Sequence, residues 1–421
     1  MKLKREDDVN MKLKLSGWMK VIMAVMLLTS AASASERFSI DGYYKNFSVV
    51  YNFSELYEYP FGLDDPVGSV SGRLRLNTVW WASNRVSLRV SYDFAPRIQD
   101  RALFFLSPTL TTIEPRQYRV ADFDSRLYPE CGADVASFAV FHNLDRAFVT
   151  VEADVVDVYI GRQPIAFGSA RIVNPTDVIA PYSYETLDTE DRIGVDGVRA
   201  RIPMGFMGEI DAGCVFGDDF DQDKSAYFLR AKGYAARTDL SAIIMRFREN
   251  MMVGVDVARA VGGASVWLEA AQVFVNGSAP QGRDYFSASV GVDYSFANNT
   301  YVFAEYHFNQ AGRDDSDEYL INSTRKAYAD GSVYLLGRHY LTPGLTWEFT
   351  PLVYGSLQIL TNLSDQSIYL TPSVEYNVAE NIYLSGGAFI GFGASPGDLL
   401  DIGSEFGVYP DIYHTSFRYY F

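Results

Sequence analysis

From Phe286 the chain reads FSASVGVDYSF, placing Phe286, Ala288, Val290, Val292, Tyr294 and Phe296 on one face and Ser287, Ser289, Gly291, Asp293 and Ser295 on the other. Alternation of this kind has the period of a strand with one apolar and one polar side. The same dyad recurs in RLRLNTVWW (Arg73 to Trp81), RVSLRVSYDF (Arg85 to Phe94), MVGVDVAR (Met252 to Arg259), IYLTPSVEYNV (Ile368 to Val378) and IYLSGGAFIGF (Ile382 to Phe392). Most of these segments reach about ten residues, where strands of globular domains commonly have ~5–6. Their length and alternation match the ~10-residue segments of membrane-spanning barrels.

The connections reinforce that reading. Tight turns fall at Ser83-Asn84, Ala153-Asp154, Pro203 to Gly205, Ala235 to Arg237, Gly262-Gly263, Ala297 to Asn299, Thr350-Pro351 and Ala379 to Asn381. Longer polar connections lie between them, at 52–70, 96–143, 169–191, 217–224, 277–283, 311–332, 362–366 and 394–404. Only the connection at Glu249-Asn250 is short where a long one is due. Regular exchange of short and long connections predicts an all-β chain, a transmembrane antiparallel up-and-down β-barrel with short periplasmic turns and long external loops. Counting strands between them gives 18, with 16 as the alternative.

The N-terminus sets the compartment. In Met11 to Ala34, MKLKLSGWMKVIMAVMLLTSAASA, three lysines precede an apolar run from Val21 to Leu28, and Ala32-Ser33-Ala34 follows. That is the layout of a cleaved export signal, covering residues 1–34. Arg5, Glu6, Asp7 and Asp8 suit a signal poorly, so Met11 is the alternative start. Residues 35–421 then form a single barrel in the outer membrane of a Gram-negative cell, in contact with its lipid and lipopolysaccharide. Removing the signal takes away six of 36 basic and three of 52 acidic residues, moving the net charge from −16 to about −19. Nucleic acid is excluded as a partner at that charge. With only Cys131 and Cys214, no disulfide framework is expected.

The chain ends IYHTSFRYYF, with Tyr413, Thr415, Phe417, Tyr419 and the terminal Phe421 on one face. This resembles the closing strand of bacterial outer-membrane barrels, and the resemblance implies that Phe421 is read by the barrel assembly machinery. GRQPIAFG (161–168), NPTDVIAP (174–181) and GVDGVRARI (194–202) resemble the strand, inserted loop and return strand of porins of the alginate-export and related outer-membrane channel families. That likeness implies a monomeric or oligomeric barrel that conducts small polar solutes and is not an enzyme.

Residues 169–191 are stiffened by Pro175 and Pro181 and carry Asp177, Glu185, Asp188, Glu190 and Asp191. An 18-stranded barrel has a water-filled lumen, so this loop is expected to fold inward and constrict it. Alternation assigns inward bases at Arg73, Arg75, Arg85, Arg89, Arg146, Arg199, Arg201, Arg230, Lys232, Arg246 and Arg248, and inward acids at Asp256, Glu269, Asp293, Glu305, Glu348 and Glu375. Loop acids facing early-strand arginines across a water-filled gap would set up a transverse field. Arg162 breaks the pattern and would face lipid unless Gly161 or Pro164 makes a bulge. Tyr301, Phe303, Tyr340, Tyr354, Tyr369, Tyr383 and Phe389 form an inward aromatic group that either packs or carries a solute ring.

Other chemistry finds little support. Asp219, Asp221 and Asp223 have calcium-loop spacing, but Lys224 replaces the turn glycine and Arg230 the bidentate glutamate. His142, His307, His339 and His414 lack metal-ligand spacing. No cofactor or metal is expected. The alternatives to a diffusion channel are a structural barrel sheathing a partner, such as a cytochrome in an electron conduit, and an outer-membrane hydrolase.

Overall fold

The computed structural model describes residues 37–53, 66–105, 118–123, 126–130, 133, 137–184, 186–277, 282–397 and 401–421; the export signal read at 1–34 lies outside them. The strands are β1 (Phe38–Asn52), β2 (Val67–Ser83), β3 (Val86–Gln99), β4 (Arg126–Tyr128), β5 (Phe138–Glu152), β6 (Asp157–Pro164), β7 (Gly194–Met204), β8 (Gly208–Val215), β9 (Ala226–Ala235), β10 (Thr238–Phe247), β11 (Asn250–Val261), β12 (Ala264–Phe274), β13 (Tyr285–Ser295), β14 (Tyr301–Asn309), β15 (His339–Thr350), β16 (Val353–Asn362), β17 (Ser367–Ala379), β18 (Ile382–Phe392) and β19 (Asp411–Tyr420). Eighteen of them pair antiparallel with their sequence neighbours in one sheet; β4 is a short loop strand against β5. β1 closes on β19 with Tyr43 opposite Tyr420. Gly42 and Phe421 exchange backbone hydrogen bonds of 2.9 and 3.0 Å at the seam. Closure leaves no sheet edge unpaired, which a hydrocarbon environment demands.

Turn chemistry follows the twist of the strands. Ala236-Arg237 and Arg248-Glu249 both take positive φ at their two central residues (51° and 62°, 43° and 69°). That is the geometry of the tight hairpin turns that match right-handed strand twist, here adopted without glycine. The turn expected at 203–205 comes later, at 205–207, with Gly205 at φ 63°.

The outer surface is a banded one. Ile160, Leu229, Ile244, Val253, Val255, Leu268, Val290 and Val292 are all exposed along the middle of their strands. Exposed aromatics border this band: Trp80, Trp81, Phe296, Trp347 and Phe349 toward the short turns, Phe274, Phe286 and Phe392 toward the long loops. An apolar band between two aromatic girdles is the surface a bilayer selects.

The inside is filled by loops. Residues 165–193 bring Ile165, Phe167, Val178, Ile179 and Ala180 into a buried cluster with Ile243, Met245, Phe247 and Met252 of the wall. The 310–338 connection carries short helices at Tyr319–Asn322 and Lys326–Ala329 and adds Ala327, Tyr328 and Val333. Phe406, from 393–410, packs with Tyr340, Leu360 and Tyr369.

Val290→Arg is expected to cost about 2–4 kcal/mol at mid-bilayer, read as a lowered urea midpoint in lipid vesicles. Ser385→Arg, on the inward face where Ser385 bonds Ser416 at 2.6 Å, should leave that midpoint nearly unchanged. Equal losses in the two variants would contradict the facing of the strands.

Candidate functional site

The segment 168–193 crosses the barrel interior between two oppositely charged walls. It leaves β6 through Gly168 at φ 94°, where a Cβ would lie 2.5 Å from both Glu269 carboxylate oxygens. Glu269 accepts hydrogen bonds from the backbone N–H of Ser169 and Ala170 (3.0 Å each) and from the N–H and hydroxyl of Thr176 (2.8 and 2.7 Å). Glu305 accepts the N–H groups of Arg171, Ile172 and Val173 at 2.7, 3.2 and 3.1 Å, and the indole N–H of Trp267 at 2.9 Å. Asp256 accepts the Ser169 hydroxyl, and Asp293 pairs with Arg171 at 2.9 Å. Successive N–H groups converging on one carboxyl group form a nest that satisfies both its oxygens and the amides. A chain buried without secondary structure needs such partners for its amides.

At its far end the segment meets the basic wall. Asp188 lies 2.8 Å from Lys45 and 3.2 Å from Arg73; Glu190 lies 2.6 Å from Lys45 and accepts Tyr420 Oη at 2.7 Å. Asp191 accepts Tyr43 Oη at 2.7 Å and faces Arg146 at 2.9 Å and Arg75 at 3.7 Å. Burial would raise the Asp191 pKa, but Tyr43, Arg75 and Arg146 outweigh it and hold it below the ordinary value. The acids and arginines therefore meet in direct ion pairs, not across the expected water-filled gap. Excluding water makes contact the favourable arrangement, since a separated buried charge keeps its full desolvation cost. Asp177 pairs instead within the segment, with Arg192 at 3.0 Å. It is 2% exposed, and burial, opposed by Arg192, pushes its pKa up to about 6. Glu185 lies outside the described residues.

The other expected lining residues divide into three groups. Arg199 binds Asp211 at 2.6 Å, Arg230 binds Glu209 at 3.1 Å, Arg201 also pairs with Glu209, and Arg89 lies over the Phe148 ring. Glu375 pairs with Arg418, and Glu348 accepts Asn299 Nδ2 at 2.7 Å near the short-turn rim. Arg85 and Arg246 are corrections. Arg85 stands in an exposed turn between β2 and β3, 2.7 Å from Asp154, and not on the inward face of a strand. Arg246 shares the outward face with exposed Ile244, because Ile243, Met245 and Phe247 are the buried positions of β10. Both faces of β10 are apolar there, so alternation gave no cue. Arg248 belongs to the next turn and donates to Tyr118 Oη at 3.3 Å. Arg162 is shielded from lipid by Asp196 (2.7 Å), Asp122 (3.2 Å) and the carbonyls of Leu144 and Ala121. Gly161, at φ 118°, precedes it.

Sequence reasoning missed Lys45 and the acids Asp93, Asp145, Glu209 and Asp211 that hold the wall arginines. Lys45 was legible, since it stands opposite Arg73 in the alternation of β1. Asp145 was not: it is the extra residue where the β3–β5 register shifts.

Between the segment and β13–β19 lies a cavity of about 470 Å³. Tyr182, Tyr184, Leu187 and Thr189 line one side and Ser356, Gln358, Thr371, Ser373, Phe389 and His414 the other. Toward the short turns a second cavity, of about 630 Å³, is bounded by Glu375, Tyr383, Ser385, Ser416 and Arg418. Leu187, Thr189, Ser373 and His414 border both, so the two adjoin at a neck. Of the expected aromatic group, Tyr369 and Phe389 pack with Tyr184 at ring separations of 6.2 and 6.4 Å. Tyr354 is exposed beside the 351–352 turn.

Solved structures share this architecture. A BenF-like porin from Pseudomonas fluorescens Pf-5 superposes with a TM-score of 0.56 at 10% identity, covering 91% of this chain and 98% of that one. The shared fold is the closed 18-stranded antiparallel barrel. OccD3 (OpdP) of Pseudomonas aeruginosa matches with a TM-score of 0.54 at 9% identity over 92% and 91% of the two chains. OpdK of the same organism, solved with vanillate, matches at 0.53 and 10% over 92% and 98%. Neither family models nor curated proteins match the sequence. The likeness is to porins of the Occ type, and it lends no support to the alginate-export resemblance.

Two outcomes are expected of the walls. Lys45→Met takes a base from Asp188, which keeps Arg73, and from Glu190, which keeps Tyr420 Oη, and should cost about 1–3 kcal/mol, read as a lowered urea midpoint. Asp177 behaves oppositely to a stabilising carboxylate. Its folded pKa lies above the unfolded value of 3.8, so the folded state holds the extra proton. Stability from this group is then lost as pH rises from about 4 through about 6. Asp177→Asn should flatten the dependence of the thermal midpoint on pH in that window; an unchanged slope would contradict the assignment.

Proposed function

We propose that the chain is an outer-membrane porin, a barrel for passive diffusion of small polar solutes, with residues 169–191 as its constriction. The observation that carries this is the crossing segment itself. Tied to both walls, it leaves two adjoining cavities beside β13–β19, which we read as the passage, with their shared residues as its neck. The banded surface fits a bilayer, with the short turns on the periplasmic side and the long loops outside. The closing strand ending in Phe421 fits recognition by the assembly machinery, and lipopolysaccharide would contact the outer rim. OpdK, a similar barrel, was solved with the small solute vanillate. An alginate-like polyanion is a poorer fit, because Arg73, Arg75, Arg146, Arg199 and Arg230 are already matched by acids.

In a planar bilayer the purified chain should open discrete conducting steps. Replacing residues 174–191 by a short Gly-Ser linker should raise single-channel conductance several-fold while the folded, heat-sensitive gel mobility persists. Absence of conductance from both forms would refute the channel, and equal conductance would place the constriction elsewhere.

A further inference from the structure

Resting on the reading of this chain as a diffusion channel, we propose that its passage selects uncharged, hydroxyl-rich solutes over ions of the same size. Among the described residues, the charged groups bordering the two cavities are engaged at contact distance. Arg171 lies 2.9 Å from Asp293, Asp177 lies 3.0 Å from Arg192, and Asp188 and Glu190 lie 2.8 and 2.6 Å from Lys45. Glu375 is paired with Arg418. An ion entering must shed water with no unengaged counter-charge among the described residues to replace it, or open a pair and leave its partner unmatched. Both routes are unfavourable, and neither applies to a neutral solute.

What the passage does offer is a set of neutral hydrogen-bonding groups. Tyr184 Oη sits 3.3 Å from both Gln358 Oε1 and Thr371 Oγ1. These contacts are longer than the ~2.7–2.8 Å usual for O–H···O bonds, so a solute hydroxyl can exchange with them at little loss. Ser373, at the neck, bonds only its neighbour Ser356 at 2.7 Å among the described side chains. The Tyr184 and Phe389 rings, edge to face at 6.4 Å, present apolar surface for the C–H faces of such a solute. The neck groups Leu187, Thr189, Ser373 and His414 include no carboxylate, lysine or arginine.

Swelling of proteoliposomes holding the full chain tests this with three six-carbon probes. They are mannitol, potassium gluconate with valinomycin carrying the cation, and N-methylglucamine hydrochloride with a chloride ionophore. Mannitol should drive swelling at least about tenfold faster than either ion, an energy difference near 1.4 kcal/mol. Gluconate or N-methylglucamine matching mannitol would overturn the selectivity and leave the channel standing. No swelling with these probes or with glycerol would overturn the channel itself. Ser373→Arg puts an unpaired cation at the neck and should shift preference toward gluconate; Thr189→Lys serves if that variant does not fold. A folded variant with unchanged preference would refute the neck assignment.

Discussion

Two buried carboxylates, Glu269 and Glu305, decide how this barrel is filled. Each gathers N–H groups from a non-repetitive stretch that would otherwise have buried amides without acceptors. Burying an acid on a strand is costly unless its oxygens are saturated. Here the segment 169–176 saturates them, and they in turn satisfy the segment. With that end fixed, Asp188, Glu190 and Asp191 reach Lys45, Arg73, Arg75 and Arg146 on the opposite wall. The lumen is divided as a consequence, and the open space is displaced toward β13–β19.

Charge in this lumen is largely structural. Bases grouped on the early strands and acids on the later ones look like a selectivity field until their partners are known. Arg199, Arg201 and Arg230 are matched by Glu209 and Asp211 of β8, and Arg75 by Asp93 and Asp145. Pairs of this kind fix position more than they attract ions, because an engaged charge projects little field beyond its partner. In the proposed channel, specificity is left to hydroxyl, amide and aromatic groups.

Much of the fold was legible because a barrel repeats one simple rule. Alternation at 286–296 and 368–378 gave the lipid face, and the exchange of short and long connections gave the strand count. The rule fails where both faces of a strand are apolar. At β10, Ile243 packs under the crossing segment while Ile244 meets lipid, and Arg246 was assigned to the wrong face. It fails again at a bulge, as at Asp145. The inward course of 169–191 could be anticipated from its length and acids. Its anchoring could not: most bonds to Glu269 and Glu305 come from backbone N–H groups, which every residue but proline owns and no composition reveals. The same holds for Glu405, which accepts Tyr340 Oη at 2.5 Å and the Leu336 N–H at 2.9 Å between two further loops.

Native-state amide hydrogen exchange of the folded barrel tests the anchoring most directly, because those same N–H groups are what it reads. The amides of Ser169 to Val173 and of Thr176 should be protected to a degree approaching that of β12–β14, and protection should fall selectively in Glu305→Gln. Exchange of these amides at the rate of an open surface loop, with the strands still protected, would contradict the crossing segment as the element that divides the lumen.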